Sequence, residues 1–485
     1  MQKDDKGKGP YGVRVTCANM QMKYNNILSS LVLMILLLLP NLFSLQISFA
    51  QQIITQDQDL VTYSGQSNFI KEFEVPVVKE KGLRGITTDA QGNVWFYHST
   101  NKTSTAIKLE PDTGKFTAYD IKGDTVVDNA VINLAGGQLV FDDKRNVVWF
   151  TDVRTNSIGR LDVKSEKVEL IKIPTPRSGP LGIVLSPHDG GKSIWFAEIT
   201  GDKIARLDPE SNNRIIEYST GENSGPSLLT FDSKGILWTS LSYANSILRA
   251  ETSKLVPGSS AAGMSTITLS KPDTFSPFGI AIVDVADAND DTASRGNQKI
   301  FVSDHGSSRV ISADVPQNDG SNTISLNPQS YMSYWTSPSS AYPTTLATQI
   351  VTDKQGKNIY FPQHIGNRIS KIDTKTGIMT EYDIPTGPLS TTLFAAVSDD
   401  GKKVWFTEWA SNKVGNLDTT VPVPFDLEVR NNNQTIITLD KNGSKSLDIL
   451  LKAEGNNGNL GVSIDEVGLA VVGMSDSGLK GVTYT

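Results

Sequence analysis

Short apolar runs separated by turn-forming residues follow one another from about residue 70 to residue 418. In several runs, such as Ser157–Asp162 and Lys203–Asp208, apolar and polar residues take alternate positions. An alternation with a period of two predicts a β-strand with two unlike faces. Gly- or Lys-containing turns, as at 90–92 and 233–235, separate the runs. This part of the chain is therefore predicted to consist of short strands and tight turns.

One strand pattern recurs seven times, with an aromatic residue at its centre. These aromatic anchors are Trp95, Trp149, Trp195, Trp238, Phe301, Tyr360 and Trp405. Successive anchors lie 43 to 63 residues apart, and a four-stranded propeller blade takes about 40–50 residues. The sequence predicts an all-β fold, a seven-bladed β-propeller.

The seventh repeat lacks a last strand, because Leu417-Asp418 runs directly into the proline-rich segment 421–424. Proline cannot join a central ladder. Residues 70–76 look like an outer strand placed ahead of the first repeat, and they match 379–385. We therefore expect the N-terminal strand to complete blade seven and close the ring, so that no open sheet edges remain there.

The N-terminal region carries a targeting signal. Leu31 to Leu39 is an unbroken apolar run, and Ser48-Phe49-Ala50 follows Pro40, a pattern typical of a signal peptide cleaved after Ala50. An uncleaved membrane anchor is the alternative.

The predicted organisation has four parts. These are a signal peptide or anchor (1–50), a linker (51–69), the propeller (70–420) and a small β-rich C-terminal region (421–485). We expect a secreted or cell-surface protein that meets a membrane only through residues 27–50, if these are retained.

Charge and cysteine content exclude several classes of function. The net charge is −7 and the chain has no run of basic residues, which argues against nucleic acid as a partner. The one cysteine, Cys17, precedes the predicted cleavage point. Disulfides, thiol nucleophiles and zinc–cysteine sites are therefore not expected in the mature chain.

The repeats resemble a known family. At 405–415, Trp-Phe-Thr-Glu is followed by Asn-Lys-Val-Gly, and 149–161 and 195–207 show the same pattern. This blade signature is similar to that of the streptogramin B lyases, also called virginiamycin B lyases, and the resemblance covers about residues 70–418. It implies a site at the centre of one propeller face, where a cyclic depsipeptide is opened by elimination with a divalent metal, usually magnesium. In the family, a blade Glu holds the metal and a His two residues later acts as the base.

The family's catalytic histidine has no counterpart at its expected position. The residues two places after the blade Glu position are Thr100, Arg154, Thr200, Tyr243, Gly306, Ile365 and Ala410. The sequence therefore leaves open whether the chain is an enzyme.

The blade Glu position itself supplies the candidate site, because equivalent positions lie at equivalent depth in a propeller. It is occupied by His98, Asp152, Glu198, Leu241, Asp304, Gln363 and Glu408. The four acids are candidate ligands of magnesium or another divalent cation. The alternative is that each acid accepts backbone hydrogen bonds from the next blade and holds the fold.

Four side chains complete the set of candidates. His98 is the candidate general base or metal ligand, with a solvated or capping role as the alternative. Gln363, together with His305 and His364 one residue beyond the same position, is a candidate for ligand binding.

Three functions follow from these observations. The leading hypothesis is an exported streptogramin-lyase-like propeller that binds a small-molecule or protein/glycan ligand at the central face of its ring. The second is a metal-dependent lyase, or a hydrolase that cleaves lactones or esters. The third is a cell-surface adhesion or scaffold module with residues 425–485 as a tether.

Overall fold

The structure is a computed structural model that describes residues 69–126, 137–269, 276–285, 297–316, 323–326, 331–336, 344–387, 390–421, 425–430 and 448–453. The predicted signal segment lies outside these residues, as does most of the predicted C-terminal region. Within the described ranges, no helix is long and apolar enough to cross a membrane.

The strands follow the predicted repeats. The first strand is β1 (Ile70–Glu74). Blade one consists of β2 (Leu83–Thr88), β3 (Val94–Ser99), β4 (Ser104–Glu110) and β5 (Lys115–Ile121). Blade two consists of β6 (Leu139–Asp142), β7 (Val147–Asp152), β8 (Ser157–Asp162) and β9 (Lys167–Lys172). Blade three consists of β10 (Pro180–Leu185), β11 (Ile194–Glu198), β12 (Lys203–Asp208) and β13 (Arg214–Ser219).

The second half of the ring repeats this order. Blade four contains β14 (Pro226–Phe231), β15 (Leu237–Leu241), β16 (Ser246–Ala250) and β17 (Met264–Leu269). Blade five contains β18 (Pro277–Val285), β19 (Asn297–Asp304), β20 (Arg309–Asp314), then β21 (Thr323–Leu326) as an excursion, and β22 (Tyr331–Trp335). Blade six contains β23 (Val351–Thr352), β24 (Asn358–Gln363), β25 (Arg368–Asp373) and β26 (Met379–Asp383). Blade seven contains β27 (Thr392–Val397), β28 (Lys403–Glu408) and β29 (Lys413–Asp418), with β1 as its fourth strand.

Three features lie outside the four-stranded pattern. The strand β21 leaves blade five and pairs in parallel with β17, which gives blade four a fifth strand. Two short 3₁₀ helices occupy Pro209–Ser211 and Thr252–Lys254. Beyond the ring, β30 (Phe425–Arg430) and β31 (Asp448–Ala453) form an antiparallel pair.

The fold is thus an all-β propeller of seven blades, as predicted. In blade seven, β1 pairs antiparallel with β29, and Ile70 lies opposite Leu417 while Glu74 lies opposite Lys413. The first and last strands of the ring therefore share one sheet.

The aromatic anchors explain why most first strands end in a short polar turn. The indole Nε1 of Trp95 donates to Asp89 Oδ2 at 2.8 Å, and that of Trp238 donates to Asp232 Oδ2 at 2.9 Å. The same Asp89 carboxylate accepts the Asn93 amide of the turn. Each indole is buried between neighbouring blades and its one polar atom is satisfied, so an Asp before the turn fixes both the turn and the anchor.

The first strands of the seven blades surround a central channel with a volume of about 180 Å³. Its lining is mostly aliphatic and includes Leu139, Ile183, Leu229, Ile350 and Ala395. The end of the channel at which these inner strands begin is called the channel mouth below.

Candidate functional site

All seven residues at the predicted ring position are buried. Six of them end the second strand of their blade, and His98 is the last residue but one of β3. The structure holds them apart, one in each blade. Among the described residues, no three His, Cys, Asp or Glu side chains are grouped so that they could hold a metal ion.

Asp152 connects blades one and two. Its Oδ1 accepts the Tyr97 hydroxyl at 3.0 Å and the Ser104 hydroxyl at 3.3 Å, and its Oδ2 accepts the Thr155 hydroxyl at 2.8 Å. The guanidinium of Arg154 lies 3.9 Å from Oδ2 and donates to the carbonyl of Ile121 at 3.0 Å. This carboxylate is occupied by contacts that hold the two blades together.

Asp304 has a comparable role within blade five. Its Oδ1 accepts the backbone N–H of Ser276 at 3.0 Å, and its Oδ2 accepts Arg309 Nε at 3.0 Å and the Ser307 hydroxyl. The alternative from the sequence was that each acid accepts backbone N–H groups of the next blade. The donors here are mainly side chains, and two of those to Asp152, Tyr97 and Ser104, belong to the preceding blade.

Glu198 and Glu408 differ from the aspartates. Both oxygens of Glu198 and one of Glu408 lack a hydrogen-bond partner among the described residues. Burial, followed by the charge of Glu217, raises the pKa of Glu198 to about 8. Burial, followed by the charge of Glu72, raises the pKa of Glu408 to about 7.

A lysine next to each glutamate donates a hydrogen bond to the loop from the preceding blade. In blade three, Lys203 Nζ donates to Glu217 at 2.7 Å and to Thr175 at 2.5 Å. In blade seven, Lys413 Nζ makes the same two contacts with Glu72 and Thr386, at 3.0 and 2.8 Å. These clusters join consecutive blades, and their lysines are committed to them.

Gln363 belongs to the same kind of inter-strand cluster in blade six. Its Nε2 donates to Glu381 at 2.6 Å and to Ser370 at 2.8 Å, while its Oε1 has no partner among the described residues. The described hydrogen bonds of the Gln363 side chain are thus with its own blade and not with His305 or His364.

His98 is 3% exposed, and its Nε2 lies 2.9 Å from the carbonyl of Glu80. Burial is the largest cause of a lowered pKa for this imidazole. The contact of Nε2 with this carbonyl corresponds to the capping role given above as the alternative for His98. The other ring nitrogen, Nδ1, has no partner among the described residues.

His305 and His364 meet at the channel mouth. Their rings stack with centroids 5.5 Å apart and planes 22° apart, and Phe278 lies 5.8 Å from His305. His305 Nδ1 lies 3.2 Å from the carbonyl of Ala347. Both rings are half-buried, and burial lowers the pKa of each, so both are neutral at pH 7.

Arg84 completes this group and was missed by the sequence analysis. It lies on β2 and is 5% exposed, and its charge acts on the imidazoles of both His98 and His364. Its Nε has no partner among the described residues. The sequence does contain a signal for Arg84, because blades three and five have the apolar residues Leu181 and Phe278 at the equivalent position. This difference is visible only when the first strands of the blades are aligned with one another.

These residues do not fit a magnesium centre of the kind the family implies. Hard cations need several carboxylate or carbonyl oxygens within one coordination sphere. Here two of the acids already accept hydrogen bonds from neighbouring side chains, and the two raised pKa values belong to carboxyls in separate blades, three and seven.

Comparisons with known proteins show which propellers this chain is similar to. The sequence model of the virginiamycin B lyase family matches residues 68–281, from just before β1 into β18. A streptogramin B lyase structure is 21% identical with a TM-score of 0.53, and the match covers 72% of this chain and 97% of that one. The predicted resemblance to streptogramin B lyase-like seven-bladed propellers is therefore confirmed.

Two further structures delimit what the similarity shows. Virginiamycin B lyase from Staphylococcus aureus is 22% identical with a TM-score of 0.53, and covers 72% of this chain and 98% of its own. Hydrazine synthase from Kuenenia stuttgartiensis is 13% identical with a TM-score of 0.51, and covers 71% and 97%. No curated protein sequence matches the chain. Proteins with such different names share this fold, so the fold alone does not assign a reaction.

Proposed function

We propose that this chain is an exported streptogramin-lyase-like propeller that binds a small organic ligand at its channel mouth. The observation that carries the proposal is the stack of His305 on His364 beside Phe278. Half-buried aromatic rings with a few polar atoms, at the end of a channel, are typical of a site for a small molecule. Neutral imidazoles offer both a stacking surface and hydrogen-bonding nitrogens.

The family's elimination reaction is less well supported in this chain. A general base must lie beside the proton it removes, and its pKa should be near the working pH. His98 is enclosed, and burial lowers the pKa values of His98, His305 and His364, which weakens each as a base at neutral pH. We therefore propose binding without efficient turnover.

Quinupristin is a suitable probe, because a catalytically inactive His-to-Ala variant of the Staphylococcus aureus lyase has a crystal structure with this compound. The chain has four histidines, so each imidazole can be followed by NMR. We expect quinupristin to shift the signals of His305 and His364. His188, which bonds to the carbonyl of Asp232 on a distant turn, should not respond.

Two variants separate binding from catalysis. The double variant His305→Ala/His364→Ala should lose binding, while His188→Ala should bind like the unaltered chain. Mass spectrometry after incubation with magnesium should show no linear product. Robust linearisation that disappears in His98→Ala would contradict the proposal and make His98 a relocated base.

Export rests on the pattern of residues 27–50. Protein isolated from its native host should begin at Gln51. Membrane-bound material that retains 27–50 would instead indicate an anchor.

A further inference from the structure

The channel mouth contains a cation with no counter-charge among the residues that the structure describes. Arg84 is 5% exposed, its Nε has no hydrogen-bond partner, and no carboxylate pairs with its guanidinium in the part of the chain that the structure describes. Burial lowers the pKa of Arg84 to about 10, so it is still charged at neutral pH. Burying an unpaired charge is costly, and such a group is normally matched by an opposite charge.

The repeat does not require an arginine at this place. Arg84 follows Leu83, which pairs with the ring residue His98. The corresponding residues of blades three to seven are Leu181, Ser227, Phe278, Thr348 and Leu393. None of these is charged, so the blade can be built without a cation here.

The nitrogens near Arg84 are also without partners. His98 Nδ1 and His364 Nδ1 lack hydrogen bonds among the described residues, and the charge of Arg84 acts on both rings. His98 is 3% exposed. Blades one and six thus carry three nitrogens without partners among the described residues, and one of them belongs to His364 of the aromatic stack.

We infer that the channel mouth binds an organic monocarboxylate, whose carboxylate pairs with Arg84 and whose apolar or aromatic body covers Phe278, His305 and His364. A guanidinium matches a carboxylate through two parallel hydrogen bonds. One buried cation balances one negative charge, whereas a phosphate dianion would leave charge uncompensated. This inference rests on the proposed function and names the chemical class of its ligand.

Isothermal titration of the full chain with benzoate, benzamide and inorganic phosphate tests the inference. Benzoate and benzamide have the same ring and differ in charge. We expect benzoate to bind at least about tenfold more tightly than benzamide, because charge-assisted hydrogen bonds are roughly twice as strong as neutral ones. Phosphate should bind more weakly than benzoate.

Arg84→Met should abolish the preference for benzoate. Arg249→Met is the matched control, because the Arg249 guanidinium already pairs with Glu251 at 2.9 Å. Arg84→Met should also melt at the same temperature as the unaltered chain or higher, since it removes an unpaired buried charge. If Arg84 instead stabilised the fold, Arg84→Met would melt at a lower temperature than the unaltered chain.

The outcomes distinguish the inference from the proposed function. Equal binding of benzoate and benzamide would overturn the carboxylate inference and leave the aromatic site standing. Phosphate binding more tightly than benzoate would also overturn it. If neither benzene compound binds and quinupristin shifts no histidine, the proposed function itself fails. An Arg84→Met chain that does not fold would assign Arg84 to the fold, and the benzoate-to-benzamide ratio of the unaltered chain would still decide the inference.

Discussion

At the scale of single residues, the buried acids at the ring position differ in how far their oxygens are hydrogen-bonded. Asp152, Asp304 and Glu408 each accept the hydroxyl of the residue three positions on, which is Thr155, Ser307 and Ser411 respectively. Glu408 Oε1 and both oxygens of Glu198 have no partner among the described residues. The same repeat position therefore holds hydrogen-bonded aspartates in two blades and, in two others, glutamates whose pKa values are raised by burial.

Asp152→Ala should destabilise the propeller by about 2–4 kcal/mol, because it leaves the buried Tyr97 hydroxyl without its acceptor and the Arg154 guanidinium without its counter-charge. Urea unfolding would measure the loss, and exposed Asp314→Ala serves as the control. A loss as small as that of the control would show that Asp152 does not hold blades one and two together. Magnesium binding that disappears with Asp152 would instead restore the metal hypothesis.

Glu198 should make stability depend on pH. Its pKa is raised from 4.5 to about 8, so between these values the folded chain retains a proton that the unfolded chain has lost. Stability is then fully present below about pH 4.5 and falls as the pH rises toward 8. The slope is at most about 1.4 kcal/mol per pH unit for one group.

Glu198→Gln should flatten that profile and stabilise the chain most at pH 8 and above, and exposed Glu222→Gln is the control. Denaturation at a series of pH values measures both. An unchanged slope in Glu198→Gln would show that Glu198 is ionised in the folded chain.

The sequence predicts where such residues lie but not what they do. The repeat alignment located all seven ring positions and both stacked histidines. The partners of Asp152 come from another blade, and the exposure of His364 depends on residues far away in sequence. No local pattern contains this information, and for the same reason Arg84 was overlooked.

At the scale of the strand, glycine and larger residues alternate around the channel. In each blade, one position at the first strand lies opposite the residue that follows the aromatic anchor. The residues just before that position are, in blade order, Gly85, Gln138, Gly182, Leu228, Gly279, Gln349 and Phe394. The two glutamines reach sideways, since Gln138 Oε1 accepts the N–H of Ile86 and Gln349 Oε1 accepts that of Ala395. Small residues let adjacent inner strands approach closely, and large ones fill the intervening space.

Gly182→Ala should destabilise the ring by about 1–3 kcal/mol, since a Cβ there would lie 2.6 Å from the carbonyl oxygen of Ser227 and 2.9 Å from Leu228 Cα. Both contacts are with backbone of the next blade, so a side-chain movement cannot relieve them. Thermal and urea unfolding would show the loss. A neutral substitution would mean that the inner strands can separate at little cost.

Strands that obey the repeat were predictable, while the excursion β21 was not. Parallel pairing between β21 and β17 joins an insertion of one blade to the edge of another. The pairing depends on where the two blades lie in space, and the sequence of the insertion carries no turn or spacing signal for it.

At the scale of the whole molecule, blade seven joins the two ends of the ring. Besides the pairing of β1 with β29, the Lys413 ammonium bonds to Glu72 and Thr386. Phe73 of β1 packs against Trp405 with centroids 5.7 Å apart. These backbone, ionic and aromatic contacts connect β1 and β29 to each other, to β28 and to the loop that follows β26.

Deleting residues 51–78 should lower the melting temperature of the whole ring, because it exposes the edge of β29 and removes the aromatic and ionic contacts of β1. Deleting 51–66 is the matched control, since β1 remains. If both deletions melt like the intact chain, blade seven is stable with three strands and closure contributes nothing.

The number of blades and the place of β1 were predictable because repeats and their missing parts can be counted along a sequence. The ligand of the channel mouth was not, because it depends on which side chains of different blades meet there.

The pairing of β1 with β29 also determines when the ring can close during synthesis. Glu72 and Lys413 are 341 residues apart, so an early-made strand must wait until nearly the entire ring has been synthesised before it finds its partner. Contacts so distant form slowly. Ring closure therefore comes after the synthesis of all seven blades, and under the export that we propose it would follow the passage of the last blade across the membrane.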